Sequence, residues 1–195
     1  MRLFVAIDLE ETIRQRIVEF MESLRPQAPR ARWQKPESLH ITLKFLGETA
    51  ADCAQQLERL LAGVRHSPVT IRFAGTGFFP TPKSPRVFWG GVEGGEALAS
   101  LAAAVDEAAS HAGFEREQRA FRPHLTLARA SGSASGNPHQ QPGNKKGGNL
   151  GALAQQAPAA QPDFGTMTAH EFYLYESKLS PAGARYSKIA RFPLE

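Results

Sequence analysis

The sequence predicts an α+β fold made of two halves that face each other. Apolar residues recur at helical spacing in some segments and alternate with polar residues in others, so helices and strands follow each other along the chain. The pattern His-apolar-Thr-Leu occurs twice, at residues 40–43 and 124–127. The order of elements around the two copies is similar, which indicates a diverged duplication with one motif in each half.

The first half alternates strands and helices. Its opening strand is apolar on both faces, which is typical of a central strand, and the helix after it is amphipathic and is stopped by Pro26. The predicted elements are a strand at 3–9, a helix at 10–24, the first motif strand at 38–46, a helix at 50–63 and a strand at 69–73.

The second half repeats this order after a turn-rich connection. The predicted elements are the connection at 75–85, a strand at 86–92, an Ala-rich helix at 96–112, the second motif strand at 121–129, and strands at 167–175 and 185–192. Between the second motif strand and the strand at 167–175, the composition of residues 131–161 changes to Gly, Ser, Asn, Gln, Pro and Ala. This composition predicts a flexible low-complexity insertion within one domain that spans residues 1–195.

Each motif strand combines polar residues on one face with apolar residues on the other. Strict alternation places His40, Thr42 and Lys44 on one face of the first strand. In the second strand, Arg122 shares a face with the motif's His and Thr. Two strands that each present an imidazole beside a hydroxyl are suited to line the two walls of one cleft.

This set of side chains favours acid–base chemistry over metal binding and over a Ser-His-Asp triad. The two motif histidines are 84 residues apart with no Asp or Glu beside either, which is a poor metal-ligand pattern, so we expect no metal and no cofactor. No nucleophile-elbow pattern supports a Ser-His-Asp triad. Two imidazoles suit concerted proton transfer near pH 7, and Thr hydroxyls suit hydrogen bonds to oxygens on which charge develops. The substrate that needs all four groups is a phosphodiester.

Composition and charge agree with a nucleic acid partner. The net charge is +4, and sixteen Arg against seven Lys supply the positive side, which favours phosphate. The single cysteine, Cys53, excludes an internal disulfide. The apolar run near the N-terminus is too short for a signal segment or a membrane span. We therefore expect a cytoplasmic monomer that does not bind membranes.

The chain resembles the 2H phosphoesterase superfamily, and closely its RNA 2′,3′-cyclic phosphodiesterase branch, also called 2′-5′ RNA ligases. The resemblance covers nearly the whole chain and departs from the family only in the insertion after Arg129. The segments that carry it are Arg2–Asp8, Leu39–Gly47, Phe121–Arg129, Leu174–Ser177 and Gly183–Tyr186.

The resemblance implies a bilobal α+β fold with an antiparallel sheet and helices in each half and a metal-free active site in the central cleft. It implies hydrolysis of an RNA terminal 2′,3′-cyclic phosphate to a 2′-phosphomonoester. The family roles fall on His40 as proton donor, His124 as proton acceptor, Thr42 and Thr126 as phosphate contacts, and Arg129 as the residue that holds the phosphate.

Arg129 conflicts with simple alternation. Strict period two sends it to the face opposite His124, so it reaches the phosphate only if the strand ends, twists or bulges first. Arg122 has the right parity and is the alternative anion ligand.

Two other functions remain open at this point. The first is RNA ligation in the same site, in which a 5′-hydroxyl replaces water and a 2′-5′ linkage forms. The second is a nucleotide-binding or RNA-binding module that keeps the pocket without turnover.

Overall fold

The computed structural model of the protein describes residues 1–131, 150–156, 161–180 and 183–195. The strands are β1 (Arg2–Asp8), β2 (Arg32–Trp33), β3 (His40–Glu48), β4 (Val69–Thr81), β5 (Ser84–Glu93), β6 (His124–Arg129), β7 (Asp163–Ala169), β8 (Glu171–Ser180) and β9 (Gly183–Pro193). The helices are α1 (Glu11–Leu24), α2 (Ala51–Leu61), α3 (Gly95–His111) and α4 (Gly151–Gln155).

The described strands form two antiparallel sheets. One has the order β3-β1-β8-β9, and the other has the order β2-β6-β5-β4-β7. The α+β class with an antiparallel sheet in each part is therefore confirmed. The sheets are not separate in sequence, because β2 and β4 from the first half join the second sheet while β8 and β9 from the C-terminal end join the first.

One hydrophobic cluster connects both sheets with the helices. Helix α1 contacts β7, α3 contacts β3 and β4, and α2 lies against α3. The helices bury apolar faces at helical spacing, with Ile13, Ile17 and Met21 of α1 all at most 2% exposed. The helices thus cover one face of the sheets, and the opposite face of the first sheet carries a smaller cluster of Phe4, Ala6, Tyr173 and Tyr175.

Two predicted boundaries are wrong. The segment predicted as a turn-rich connection continues β4 to Thr81 and pairs with β5 as a hairpin. Gly77 permits this pairing, because a Cβ at that position would lie 2.1 Å from the ring of Trp89. The strand predicted at 167–175 is two strands, β7 and β8, separated by His170.

The region predicted as a flexible insertion contains one described helix. Leu150 and Leu153 are at most 4% exposed and belong to the large hydrophobic cluster, so α4 packs against the core. The prediction is wrong for this segment. Residues 132–149 and 157–160 of the predicted insertion lie outside the described residues.

Candidate active site

The two motif strands meet in one pocket. β3 belongs to the first sheet and β6 to the second, and the two strands contact each other where the sheets face. Both His-Thr pairs therefore reach the same space, in agreement with the prediction that the two motif strands line the two walls of one cleft. The residues that line the pocket are Gln34, Ser38, His40, Thr42, Phe45, His124, Thr126, Arg129 and Tyr186.

Both histidine rings are oriented in the same way. His40 Nδ1 lies 2.8 Å from the carbonyl oxygen of Ser38, and His124 Nδ1 lies 2.8 Å from that of Arg122. A carbonyl only accepts hydrogen bonds, so Nδ1 carries the proton in each neutral ring. The lone pair is then on Nε2, the nitrogen on the other side of the ring. Each motif thus fixes the tautomer of its histidine through the residue two positions earlier.

Aromatic rings enclose His40. Its ring lies 4.7 Å from Phe4 at 32° and meets the ring of Tyr186 edge-on at 5.2 Å and 86°. This burial lowers the pKa of His40 to about 4, although the hydrogen bond to Ser38 and the charge of Asp8 partly oppose the shift. Asp8 faces His40 in the β1–β3 ladder and is held by Arg14 at 2.6 Å. His40 is thus a neutral imidazole at pH 7 in the free protein.

His124 is supported by the second sheet. The ring of Phe79, on β4, meets it edge-on with centroids 5.2 Å apart and an angle of 84°. Phe79 in turn lies 5.4 Å from Trp89 on β5. The two imidazoles therefore have different surroundings, although their main-chain hydrogen bonds are the same.

A β-bulge at Leu43 changes the face of the residues that follow it. Thr42 pairs with Ala6 and Lys44 pairs with Val5, so Leu43 is the extra residue in β3. After the bulge, Phe45 lines the pocket and is 52% exposed.

Lys44 turns to the helix side, where its side chain is 8% exposed and forms an ion pair with Asp106 of α3. Its ammonium also donates to the carbonyl oxygen of Glu115 at 2.8 Å. The prediction that Lys44 shares the face of His40 is wrong, because the bulge reverses the alternation.

A second bulge brings Arg129 into the pocket. Thr126 pairs with Trp89 and Ala128 pairs with Phe88, which leaves Leu127 as the extra residue in β6. Arg129 therefore lies on the face of His124, which resolves its conflict with strict alternation.

Arg122 has a different place. Its side chain is exposed and is not among the residues that line the pocket. Its main-chain carbonyl holds His124. Of the two predicted arginines, the structure brings only Arg129 to the histidines with its side chain.

The guanidinium of Arg129 is largely buried, and this burial lowers its pKa. Within the described residues no carboxylate pairs with it, and its neighbours are the phenol of Tyr186 and the like charge of Arg32. The hydroxyls of Thr42 and Thr126 likewise have no hydrogen-bond partner in the described part of the chain. A pocket with one positive charge and several unused donors is suited to an anion.

Four pocket residues were not predicted as site residues. Ser38 lies just before the first motif and Phe45 just after it. Simple alternation gave no reason to place Phe45 in the cleft. Gln34 comes from the segment that continues β2, and Tyr186 comes from β9 at the far end of the chain. Tyr186 had one signal, since it lies in a segment that carries the family resemblance.

Two further observations concern metals and membranes. No group of three or more His, Cys, Asp or Glu side chains among the described residues is arranged to hold a metal ion. No described helix is both long and apolar enough to cross a membrane.

The family model for LigT-like phosphoesterases matches residues 7–89 and 92–186. An Archaeoglobus fulgidus protein named RNA 2′,3′-cyclic phosphodiesterase is 33% identical over 98% of this chain and 99% of its own length. A Methanothermobacter thermautotrophicus protein of the same name is 31% identical over 99% of this chain and 98% of its own.

Solved structures agree in fold. The structure of Escherichia coli LigT complexed with 3′-AMP has a TM-score of 0.76 and 28% identity, covering 99% of this chain and 97% of that one. A Thermus thermophilus protein has a TM-score of 0.75 and 29% identity, covering 100% of this chain and 98% of that one. The family resemblance read from the motifs is confirmed.

Proposed function

The chain belongs to the LigT-like phosphoesterases, and we propose that it is an RNA 2′,3′-cyclic phosphodiesterase that forms a 2′-phosphomonoester. One observation carries the proposal. Arg129 is largely buried, has no carboxylate partner in the described chain, and shares one pocket with two imidazoles. A buried, unpaired guanidinium is costly unless an anion occupies the site, and a phosphate fits its planar donors.

The reaction is a single displacement at phosphorus. The Nε2 atom of His124 takes a proton from water as the water oxygen forms a bond to phosphorus. The bond between phosphorus and the 3′ oxygen breaks, and His40 gives its Nε2 proton to that oxygen. The products are a 3′-hydroxyl and a 2′-phosphomonoester, and solvent restores the protonation states of both rings.

Charge that develops on the non-bridging oxygens needs donors, and the pocket supplies them. The hydroxyls of Thr42 and Thr126 lie on the faces of their histidines, one from each sheet. Arg129 adds a charged planar donor. Donors fixed before the reaction stabilise the transition state without reorganisation at the moment of bond breaking, so these three groups form the oxyanion site.

The terminal nucleoside has a place beside the phosphate. Phe45 is one of the few exposed large apolar residues of the described chain, and it lies at the pocket. An exposed aromatic ring next to a phosphate site is suited to stack a base of any identity. The similar E. coli protein was solved with 3′-AMP, a nucleotide with a phosphate on its ribose.

The acid role of His40 requires the substrate. With its pKa lowered to about 4 by burial, His40 carries no proton at pH 7 on Nε2 in the free protein. A bound phosphate anion stabilises the imidazolium and raises this pKa. The substrate therefore charges its own proton donor when it binds.

The experiment is turnover of a short RNA that ends in a 2′,3′-cyclic phosphate, with the position of the product phosphate identified. We expect a 2′-phosphate, a bell-shaped pH profile, and losses of ~100-fold or more for His40→Ala and for His124→Ala. A chelator is expected to leave activity intact. A 3′-phosphate product, or full activity in either variant, contradicts the proposed mechanism.

The same assay separates the other two functions. A 5′-hydroxyl RNA added to the mixture tests ligation, because it attacks phosphorus where water otherwise does and yields a 2′-5′ linkage. Binding of the cyclic phosphate without turnover identifies a binding module.

A further inference from the structure

The edge strand β2 presents one side chain to the cleft and the next to the core. In the β2–β6 ladder Trp33 lies opposite Ala128, which is fully buried. The indole N–H of Trp33 donates to the carbonyl oxygen of Ala28 at 3.0 Å, and its ring meets Phe88 edge-on at 6.2 Å. Trp33 is therefore on the core face of this strand.

Arg32 is on the other face, opposite Arg129. Residues that face each other in an antiparallel ladder point to the same side, with Cβ atoms about 5 Å apart. Since Arg129 lines the catalytic pocket, the side chain of Arg32 stands beside it on the cleft side. Two guanidinium groups are thus neighbours at the edge of the site.

The ladder also shows where Arg32 lies relative to the pocket. The main-chain N–H of Gln34 donates to the carbonyl oxygen of Leu127 at 2.8 Å, which continues the pairing one step further. Gln34 lines the pocket, and Arg32 is two residues away on the same face. Arg32 is therefore one position outward from the catalytic groups, along the rim.

Like charges opposite each other destabilise a sheet. The charge of Arg32 contributes to the lowered pKa of Arg129. The two guanidinium groups therefore form a positively charged rim beside the site of the reacting phosphate, and such a rim attracts a second anionic group of the substrate. In an RNA with a 2′,3′-cyclic end, the anion nearest to the reacting phosphate is the phosphate on the 5′ oxygen of the same nucleoside.

We propose that Arg32 binds the phosphate on the 5′ oxygen of the terminal nucleoside, which in an RNA chain is the last internucleotide phosphodiester. This inference rests on the proposed function and extends it. The preferred substrate is then an oligonucleotide with a 2′,3′-cyclic end, in which Arg129 holds the cyclic phosphate and Arg32 holds the phosphodiester before it.

The test compares kcat/KM for four substrates. They are a nucleoside 2′,3′-cyclic phosphate, the same compound with a 5′-phosphate, a dinucleotide with a cyclic end, and that dinucleotide with a neutral methylphosphonate linkage. For the wild type we expect the charged dinucleotide to exceed the neutral one by about 10-fold, the effect of one charge-assisted contact at an exposed site. The 5′-phosphate should likewise favour the mononucleotide that carries it.

The variants assign the preference to one side chain. In Arg32→Gln the ratio of charged to neutral dinucleotide should fall close to one, and Arg32→Lys should restore part of it. Arg72→Gln is the matched control, because Arg72 is an exposed strand arginine held by Glu93 and Asp163 on β4. Its ratio should equal that of the wild type.

Three results overturn parts of this picture. A wild-type ratio near one, or an Arg32→Gln ratio equal to that of the wild type, overturns the phosphodiester site while turnover itself still supports the proposed function. Absence of turnover with all four substrates overturns the proposed function, and the Arg32 site with it.

Discussion

Phe45 and Arg129 occupy equivalent positions in the two motif strands. Each lies five residues after its motif histidine, and each reaches the pocket through a bulge at the leucine two residues before it. The two motif strands thus give the first sheet an aromatic ring and the second sheet a cation at the same place. One half is suited to hold a base and the other to hold a phosphate.

Arg129 is expected to hold the reacting phosphate through a bidentate contact. Arg129→Lys should lower kcat/KM by about 10- to 100-fold, because an ammonium keeps the charge but loses the planar pair of donors. The measurement is turnover of the cyclic-phosphate RNA. Arg122→Gln provides the comparison, since it removes an exposed side chain and keeps the carbonyl that holds His124. Equal losses in the two variants contradict the assignment.

Phe45 is expected to stack the terminal base. Phe45→Ala should raise KM for a nucleoside 2′,3′-cyclic phosphate by about 10-fold, within the range for removal of one stacking ring. The same variant should not differ from the wild type on a ribose 2′,3′-cyclic phosphate that lacks a base. Leu179→Ala is the control, because Leu179 is 62% exposed and does not line the pocket. A KM effect that persists without the base rules out stacking.

Lys44 is expected to stabilise the fold. Its side chain and that of Asp106 are 8% and 14% exposed, so Lys44→Met removes one partner of a nearly buried ion pair. The free energy of unfolding should fall by about 3 kcal/mol in urea denaturation, somewhat eased because Arg116 still lies 2.8 Å from Asp106. Arg119→Met, which breaks a pair with Glu117 in which both side chains are about half exposed, should cost about 0–1 kcal/mol. If Lys44→Met instead keeps its stability and loses turnover, the result supports the position of Lys44 in the cleft that simple alternation predicts.

The faces of Lys44 and Phe45 mark the limit of prediction from the sequence. The strands, the pairing of two His-Thr motifs and the α+β class follow from periodicity and repetition, which are local properties. The segment 38–45 alternates without a break, and nothing in it indicates that Leu43 is an extra residue. A bulge depends on the partner strand, so its effect on the following side chains appears only in the assembled sheet.

Distant parts of the pocket were hidden for the same reason. Gln34 is placed by the ladder between β2 and β6, and Tyr186 is placed by a strand that joins the first sheet from the C-terminal end. Gln34 has no local pattern that indicates a site, and the only signal of Tyr186 is its place in a segment that carries the family resemblance. The histidine tautomers, in contrast, depend on carbonyls two residues away, and both motifs share this arrangement.

His40 should titrate differently in the free and occupied protein. Burial disfavours the imidazolium, so the NMR signal of this ring should titrate with a pKa of about 4 in the free protein. Inorganic phosphate stabilises the imidazolium, and its addition should move the pKa upward. The spectrum of His40→Gln assigns the signal. A pKa that does not move with saturating phosphate contradicts the view that the substrate charges its own proton donor.

The two histidine roles are separable with a sulfur substrate. A 2′,3′-cyclic phosphorothiolate that carries sulfur at the 3′ position releases a thiolate, which leaves without a proton because a thiol is far more acidic than an alcohol. Loss of the acid should therefore matter little with this substrate, whereas loss of the base should matter as before. The low pKa of His40 in the free protein makes this test necessary, since a neutral imidazole is also suited to be a base.

We expect the defect of His40→Ala, ~100-fold or more with the oxygen substrate, to shrink to within about 10-fold with the sulfur substrate. The defect of His124→Ala should keep its size. The opposite outcome exchanges the roles, with His124 as the acid and His40 as the base. Defects that persist equally in both variants show that neither ring protonates the leaving atom, because only the need for that proton differs between the two substrates.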